Sequence, residues 1–194
     1  MQALLKIDIG SGRKPKAGYL GVDFGCEAEN VIKSDALEYF KSLPDKSISH
    51  VYSRHFLEHI ESKRLLQLLA EIDRCLIDGG EMLFIVPHFS NPYYYSDPTH
   101  ITHWGVHSFS YFCEESCLNR AVPNYISIPG WKLTEISIKF VSMFEFKFFG
   151  IKLPTLSLIL NLLINSHHLL IEFYERYFCY FFSIYEVGFK IEKK

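Results

Sequence analysis

Leu4-Leu5-Lys6-Ile7-Asp8-Ile9-Gly10-Ser11-Gly12 is the stretch on which the fold turns. Leu5, Ile7 and Ile9 alternate with Lys6 and Asp8, the period of a strand, and the run is too short and too firmly bounded by glycine to be a helix. Glycine has no Cβ, so the chain can turn sharply at Gly10 and Gly12 and a ligand can approach the bare N–H groups. In isolation a strand ending in such a turn is as readily structural as functional.

The next segments extend the pattern. Gly18 to Asp23 reads as a second strand ending in a carboxylate, a group that accepts two hydrogen bonds from a vicinal diol. Only Arg13 to Gly18 separate it from the glycine turn, and Pro15 and Gly18 favour a loop, so the first crossover helix is expected to be a single turn or missing. Asn30 to Ala36 predicts a third strand and a helix beginning near Asp35. That acid has two open readings, a helix cap or an acceptor for an adenine amino group. Ser47 to Ser53 alternates as a fourth strand. Leu65, Leu66, Leu68, Leu69, Ile72 and Leu76 recur at helical spacing, and Asp78-Gly79-Gly80 is read as the end of that helix, with glycine at the positive-φ position. Glu81 to Pro87 is a strongly apolar strand. The alternation predicts a mostly parallel sheet covered by helices, with ligands beyond the carboxyl ends of the strands. The glycine turn, Asp23, Asp35, His55 and His88 all fall at such ends.

In order and spacing, Ile7-Asp8-Ile9-Gly10-Ser11-Gly12, Val22-Asp23, Asp35-Ala36, Ser53-Arg54-His55-Phe56-Leu57-Glu58-His59-Ile60 and Leu76-Ile77-Asp78-Gly79-Gly80 resemble class I S-adenosylmethionine-dependent methyltransferases of the methyltransferase-11 type. The likeness is to small bacterial members associated with surface polysaccharide, and it covers roughly residues 4 to 112. It implies an α/β, Rossmann-like sheet, mostly parallel with an antiparallel C-terminal strand, and S-adenosyl-L-methionine as cofactor. By position it implies that Gly10, Ser11, Gly12, Asp23, Phe24, Asp35, Ala36, Arg54 and His55 bind that cofactor. Asp23 would hold the ribose, and Asp35 and Ala36 would lie beside the adenine. This chain departs from the pattern in having Lys14 where the family has a third glycine, and in its shortened crossover. The same shortened crossover and the Leu57-Glu58-His59 segment count against an NAD-dependent dehydrogenase.

His88 to Trp104 is polar, aromatic and broken by prolines, and follows the fifth strand, where an acceptor would arrive. Asp97-Pro98-Thr99-His100 followed by Ser108-Phe109 resembles a signature of the same small methyltransferases. An imidazole suits proton removal from an acceptor hydroxyl, which makes His100 the first candidate base. Asp97 would orient it or hold an acceptor hydroxyl, and His88 and His103 are the second choices. The alternative is that Asp97 and His100 merely fix the loop. His100, His103 and His107 with Asp97 contain metal-ligand types, but Gly105 and the prolines disfavour a regular display, and no metal is expected.

The last third predicts two strands, Trp131 to Ile138 and Tyr185 to Glu192, paired antiparallel at the sheet edge. Between them lies an apolar insertion with helices over Leu156–Ile164 and Leu169–Phe182. Core packing, a homodimer interface or a membrane contact through 140–182 are the readings for it. The whole chain is read as one domain: 1–87 binds cofactor, 88–130 forms the acceptor-side loop and helix, and 131–194 carries the final strands and insertion. A net charge of −2 over 194 residues argues against a nucleic-acid partner. Five unpaired-looking cysteines and a start that runs straight into a strand suggest a cytoplasmic protein. The expected activity is O-methylation of a sugar hydroxyl in surface-polysaccharide synthesis. A lipid or quinone methyltransferase and a non-catalytic partner protein are the alternatives.

Overall fold

In a computed structural model that describes residues 4–123, 125–140, 147–148, 151–152 and 156–194, the described residues form ten strands and four α-helices. They are β1 (Leu5–Ile9), β2 (Leu20–Asp23), β3 (Val31–Lys33), α1 (Ala36–Ser42), β4 (Ile48–Arg54), α2 (Ser62–Cys75), β5 (Leu76–Pro87), β6 (Cys113–Ser116), β7 (Ile128–Phe140), β8 (Lys147–Phe148), β9 (Ile151–Lys152), α3 (Leu156–Ile164), α4 (His168–Tyr177) and β10 (Ile184–Lys193). Eight of the strands make one sheet in the order β3-β2-β1-β4-β5-β10-β7-β6, while β8 and β9 pair separately. β1 to β5 are parallel, and β10 runs antiparallel to both β5 and β7. This is a Rossmann-like sheet, mostly parallel with antiparallel pairing at β10, as the resemblance implied.

Chain reversal after β3 decides which face is covered. Right-handed crossovers place α1 (β3 to β4) and α2 (β4 to β5) on the same side, where they touch each other. The two earlier crossovers, which would cover the opposite side, contain no helix. The sheet is therefore deeply buried on one face, while the other keeps only half-buried apolar side chains such as Leu83 and Ile85. Along β7, Trp131, Leu133, Ile136, Ile138 and Phe140 are buried while Lys132, Glu135, Ser137 and Lys139 are exposed. The expectation of helices over the sheet thus holds for one face, because the shortened crossovers supply nothing for the other.

Leu65, Leu68, Leu69 and Ile72 of α2 are all buried against Ile48, Val51, Met82 and Phe84 in a single core. Each such side chain contributes about 1.5–3 kcal/mol through burial. Asp35 caps α1, its Oδ1 accepting from the Glu38 amide at 3.2 Å, as one of its two readings had it. α2 ends at Cys75, not at the glycines: Leu76 is already extended, and the positive φ of Gly79 (76°) falls inside β5. The final pair β7 and β10 is not the edge. β10 lies between β5 and β7, and β6 pairs parallel to β7 outside it. Its short sequence, Cys113-Glu114-Glu115-Ser116, has no alternation to reveal it. Among the described residues of 88–130 there are two single 3-10 turns and β6, but no α-helix. The second insertion helix stops at Tyr177, five residues earlier than its pattern suggested. Part of the 140–182 surface, residues 141–146, 149–150 and 153–155, lies outside the described residues.

Candidate active site

The glycine turn closes β1 with both glycines in the left-handed region, Gly10 at φ 68° and Gly12 at φ 57°. Their surroundings differ. A Cβ on Gly10 would sit 2.4 Å from Cγ of Phe56, so this glycine lets the β4-end segment pack onto the turn. A Cβ on Gly12 would meet nothing within 4 Å. The Gly12 amide donates to Oδ2 of Asp23 at 2.9 Å, and the Gly25 amide donates to Oδ1 at 2.8 Å. Each oxygen keeps a further lone pair, so the acid at the end of β2 retains capacity for a diol. Phe24 beside it is 78% exposed. Asp35 adds an ion pair with Arg64 at 2.7 Å to its capping role, and Ala36 is buried.

Gly10, Ser11, Arg54 and His55 share one hollow of about 370 Å³ with Asp8, Lys14, Lys16 and Tyr52. Asp23, Phe24, Asp35 and Ala36 are not among its walls. A larger hollow of about 630 Å³ shares no residue with it. The composition of the smaller one, at the carboxyl ends of β1 and β4, makes it the chemically relevant one. Asp8 is buried there, its Oδ2 accepting from the Lys16 amide at 2.7 Å. Burial pushes its carboxyl above the usual range, against the Lys16 amide bond and charge.

Two acids that the sequence pattern did not single out organise the rim. Glu186, on β10, accepts from Arg54 Nη2 and pairs with His55 Nε2, both at 3.0 Å, and Lys139 lies at 3.3 Å. Burial raises the Glu186 carboxyl, but the His55 and Arg54 hydrogen bonds and the nearby charges outweigh it and hold the group at about 2. His55 is correspondingly lifted to about 9, first by Glu186, then by Glu58. It is an imidazolium at neutral pH. His55 also has φ 54°, rare for a side chain of its size and characteristic of functional sites. Glu186 was visible in the sequence as one charge among apolar neighbours, Ile184 and Val187. Glu58 is wholly buried, with Oε1 3.5 Å from His55 Nδ1. It stands between the hollow and the acceptor-side segment.

On that segment, His100 Nδ1 bonds the Tyr94 carbonyl at 2.9 Å, and its Nε2 lies 3.7 Å from Asp97 Oδ2. Asp97 Oδ1 accepts from the amide and hydroxyl of Thr99 at 2.9 and 2.6 Å. Those bonds, the hydroxyl's foremost, hold its carboxyl below the usual range. Asp97 and His100 are thus brought together. His88 is not with them. It is fully buried, with Nδ1 2.8 Å from Ser90 Oγ and Nε2 3.0 Å from Glu175 Oε1, so both ring nitrogens are already engaged. The ring of His103 packs on Tyr94 and Tyr95. Nε2 of His107 faces Glu172 at 3.6 Å.

The family model described as "Methyltransferase domain" matches residues 7–84, the segment that builds the glycine turn, β2, α1 and the β4 end. A crystal structure of a SAM-dependent methyltransferase from Archaeoglobus fulgidus aligns over 99% of this chain and 86% of its own, with TM-score 0.61 and 26% identity. The chain is a methyltransferase enzyme that uses S-adenosylmethionine, built on a Rossmann-like sheet. Two structures of phosphoethanolamine N-methyltransferase 2 from Haemonchus contortus share the fold at 16% identity. One is in complex with phosphomonomethylethanolamine and S-adenosylhomocysteine (TM-score 0.53), the other with S-adenosyl-L-methionine (TM-score 0.52). Each covers all of this chain, which in turn spans 49% of that protein. No curated protein matches the chain. The donor set fits the methyltransferase cofactor: an open glycine amide turn, a diol-capable acid and a charged hollow lie along one lip of the sheet. When bound, that cofactor supplies a sulfonium methyl group for attack by a nucleophile.

Proposed function

We propose that this methyltransferase acts on a hydroxyl of a small polar acceptor, a sugar of bacterial surface polysaccharide, in the cytoplasm. In this reading Gly10, Ser11, Gly12, Asp23, Phe24, Asp35, Ala36, Arg54 and His55 hold the cofactor, and the whole chain works as one unit. The observation that carries the acceptor side is the state of His100. Its Nδ1 is committed to a carbonyl, so its proton sits there and Nε2 is left as a base. Asp97 lies alongside, and Tyr93 and Tyr95 stand exposed on the same segment, offering ring faces for a sugar to stack on. His100 takes the hydroxyl proton and Asp97 steadies the imidazolium that results. His88, bonded to Ser90 and Glu175, holds the base of the segment in place.

The test is His100→Ala, assayed for methyl transfer to hydroxyl acceptors and for calorimetric binding of S-adenosylhomocysteine. Turnover should fall by at least 10²-fold with binding unchanged. Equal turnover in the variant would refute the assignment. Mass spectra of surface glycans with and without the gene would identify the acceptor.

A lipid or quinone acceptor is favoured by a different observation. Leu162, Leu163, Phe173, Tyr180 and Phe181 are exposed on and after α3 and α4, and no helix among the described residues is long and apolar enough to cross a membrane. Such a surface suits contact with a membrane face or a second copy. Flotation with liposomes separates this reading from that of a glycan enzyme.

A further inference from the structure

We propose that Glu58, His59 and His100 form a binding site for a divalent transition-metal ion of the zinc class. This runs against the expectation from sequence, which weighed His100, His103, His107 and Asp97 and foresaw no metal. Among the described residues it is Glu58, His59 and His100 whose donor atoms converge, all within 4.8 Å of one another.

The argument begins with Glu58. Its carboxylate is sealed from solvent, and neither oxygen has a hydrogen-bond partner. A buried carboxylate in that condition is costly; the His55 imidazolium, 3.5 Å from Oε1, supplies charge on one side without a hydrogen bond, and Oε2 stays unpaired. Nε2 of His59 and Nε2 of His100 each lie 4.0 Å from Glu58 Oε1, too far for a hydrogen bond. Following the hydrogens shows why they do not close up. Thr99 Oγ1 gives its hydrogen to Asp97 at 2.6 Å, so it accepts the proton on His59 Nδ1 at 2.9 Å. The Tyr94 carbonyl can only accept, so His100 Nδ1 carries its proton too. Both rings are thereby fixed in the tautomer that turns an Nε2 lone pair toward the carboxylate. Two lone pairs and a carboxylate face one another with no hydrogen between them. A cation at their centre reverses that repulsion.

Donor chemistry selects the ion. Two imidazoles and one carboxylate suit zinc and its neighbours, whereas magnesium and calcium take oxygen ligands. The same set occurs in zinc sites that keep a fourth position open. Ligands 2.0–2.2 Å from a tetrahedral ion stand about 3.4 Å apart, so separations of 4.0 Å and up to 4.8 Å must close by about 0.6–1.4 Å. Oδ2 of Asp97, the oxygen not held by Thr99, lies 3.7 Å from His100 Nε2, within reach of the fourth position. The two segments are already clamped: the Ile101 and Thr102 amides donate to the Glu58 carbonyl at 2.8 and 3.2 Å. The catalytic meaning of the site rests on the acceptor reading above. An ion there would make His100 a ligand in place of a base, would polarise an acceptor hydroxyl at the open position, and would leave Asp97 Oδ2 to take its proton. Binding itself does not depend on that reading.

The test uses the whole chain, stripped with chelator and titrated with Co²⁺ alone, followed by Zn²⁺ displacement. One equivalent should bind, with visible d–d bands and no thiolate charge-transfer band. Glu58→Gln and His59→Asn should each weaken binding at least tenfold, and His168→Ala should leave it unchanged. His59 is partly exposed, so its variant stays informative if Glu58→Gln fails to fold. Substoichiometric binding, a thiolate band, or unchanged affinity in His59→Asn would overturn the site. Metal-free protein that methylates a hydroxyl at full rate would overturn the catalytic meaning given to the ion while leaving the acceptor reading intact. Stoichiometric metal with methyl release to no hydroxyl acceptor would support the site and sink that reading.

Discussion

Replacing Gly10 and Gly12 separately by alanine divides backbone conformation from space. Both glycines sit at positive φ, where a Cβ costs about 1–2 kcal/mol. Alanine also restricts the unfolded chain, which returns about 0.4–1 kcal/mol. For Gly12 nothing else enters, because its Cβ would meet no atom within 4 Å. The net loss is then roughly 0.5–1 kcal/mol, or about 1–4 °C in melting temperature for a chain of this size. For Gly10 the Cβ would lie 2.4–2.5 Å from three atoms of Phe56, and forcing the ring aside adds about 1–3 kcal/mol. Gly10→Ala should therefore melt roughly 5–15 °C below the wild type. Cofactor affinity should invert the ranking of cost per degree. Gly12→Ala barely unsettles the fold yet puts a methyl group into the open space at the lip. Its affinity for S-adenosylhomocysteine should fall tenfold or more, which is about 1.4 kcal/mol. Thermal melts and calorimetry on the two variants are sufficient. Wild-type affinity in Gly12→Ala, or a Gly10→Ala melt within about 2 °C of the wild type, would refute the reasoning.

The remaining expectations follow from the rim. In metal-free protein, Glu186→Gln should cost stability near neutral pH, and the gap to the wild type should narrow as pH falls from 4.5 toward 2, because the Glu186 pKa is depressed to about 2. It should also narrow as pH rises from 6.5 through 9, because His55 is raised to about 9 and its stabilising charge is lost there. Screening at this partly open site limits the gap to about 1–2 kcal/mol, and a gap independent of pH in urea titrations would count against the pair. Asp35→Ala removes the α1 cap and should cost about 0.5–2 kcal/mol. A further drop in cofactor affinity would show that the same carboxylate also serves the adenine. Phe24→Ala should leave stability within about 0.5 kcal/mol, since the ring is exposed, and lower cofactor affinity severalfold. No change in affinity would remove Phe24 from the site.

What could be read in advance was whatever has a local signature. The β1 alternation, the α2 stripe and the Asp35 cap are written into neighbouring residues, and each was found, though within the stripe Leu66 is exposed and Leu76 already belongs to β5. The helix end at Cys75 was misplaced because Gly79 does take a left-handed φ, but within β5. β6 was missed because a four-residue edge strand with two adjacent glutamates carries no period. Glu186 and Glu58 eluded the reading for a different reason. Their roles come from long-range contacts: Glu186 meets Arg54 and His55 across more than 130 positions, and Glu58 meets His100 across the β5 crossover. A lone charge in an apolar strand was the one available hint.

The missing crossover helices tie these observations together. In a doubly covered sheet, a helix N-terminus after β1 offers its dipole and free amides to the anionic part of a ligand. Here Arg13 to Gly18 form a loop, and that source of positive potential is gone. Side chains stand in its place: Lys14 and Lys16 from the loop line the hollow, and Arg54 and His55 enter from the end of β4. A group of fixed cations on an open lip would repel itself. Glu186 counters this by pairing with Arg54, His55 and Lys139 at once, and burial in the β10 strand keeps it from being screened by water. Loss of the helix thus explains why the most perturbed acid in the rim comes from the far end of the chain. The positive field at the glycine turn depends on a strand laid down some 175 residues later.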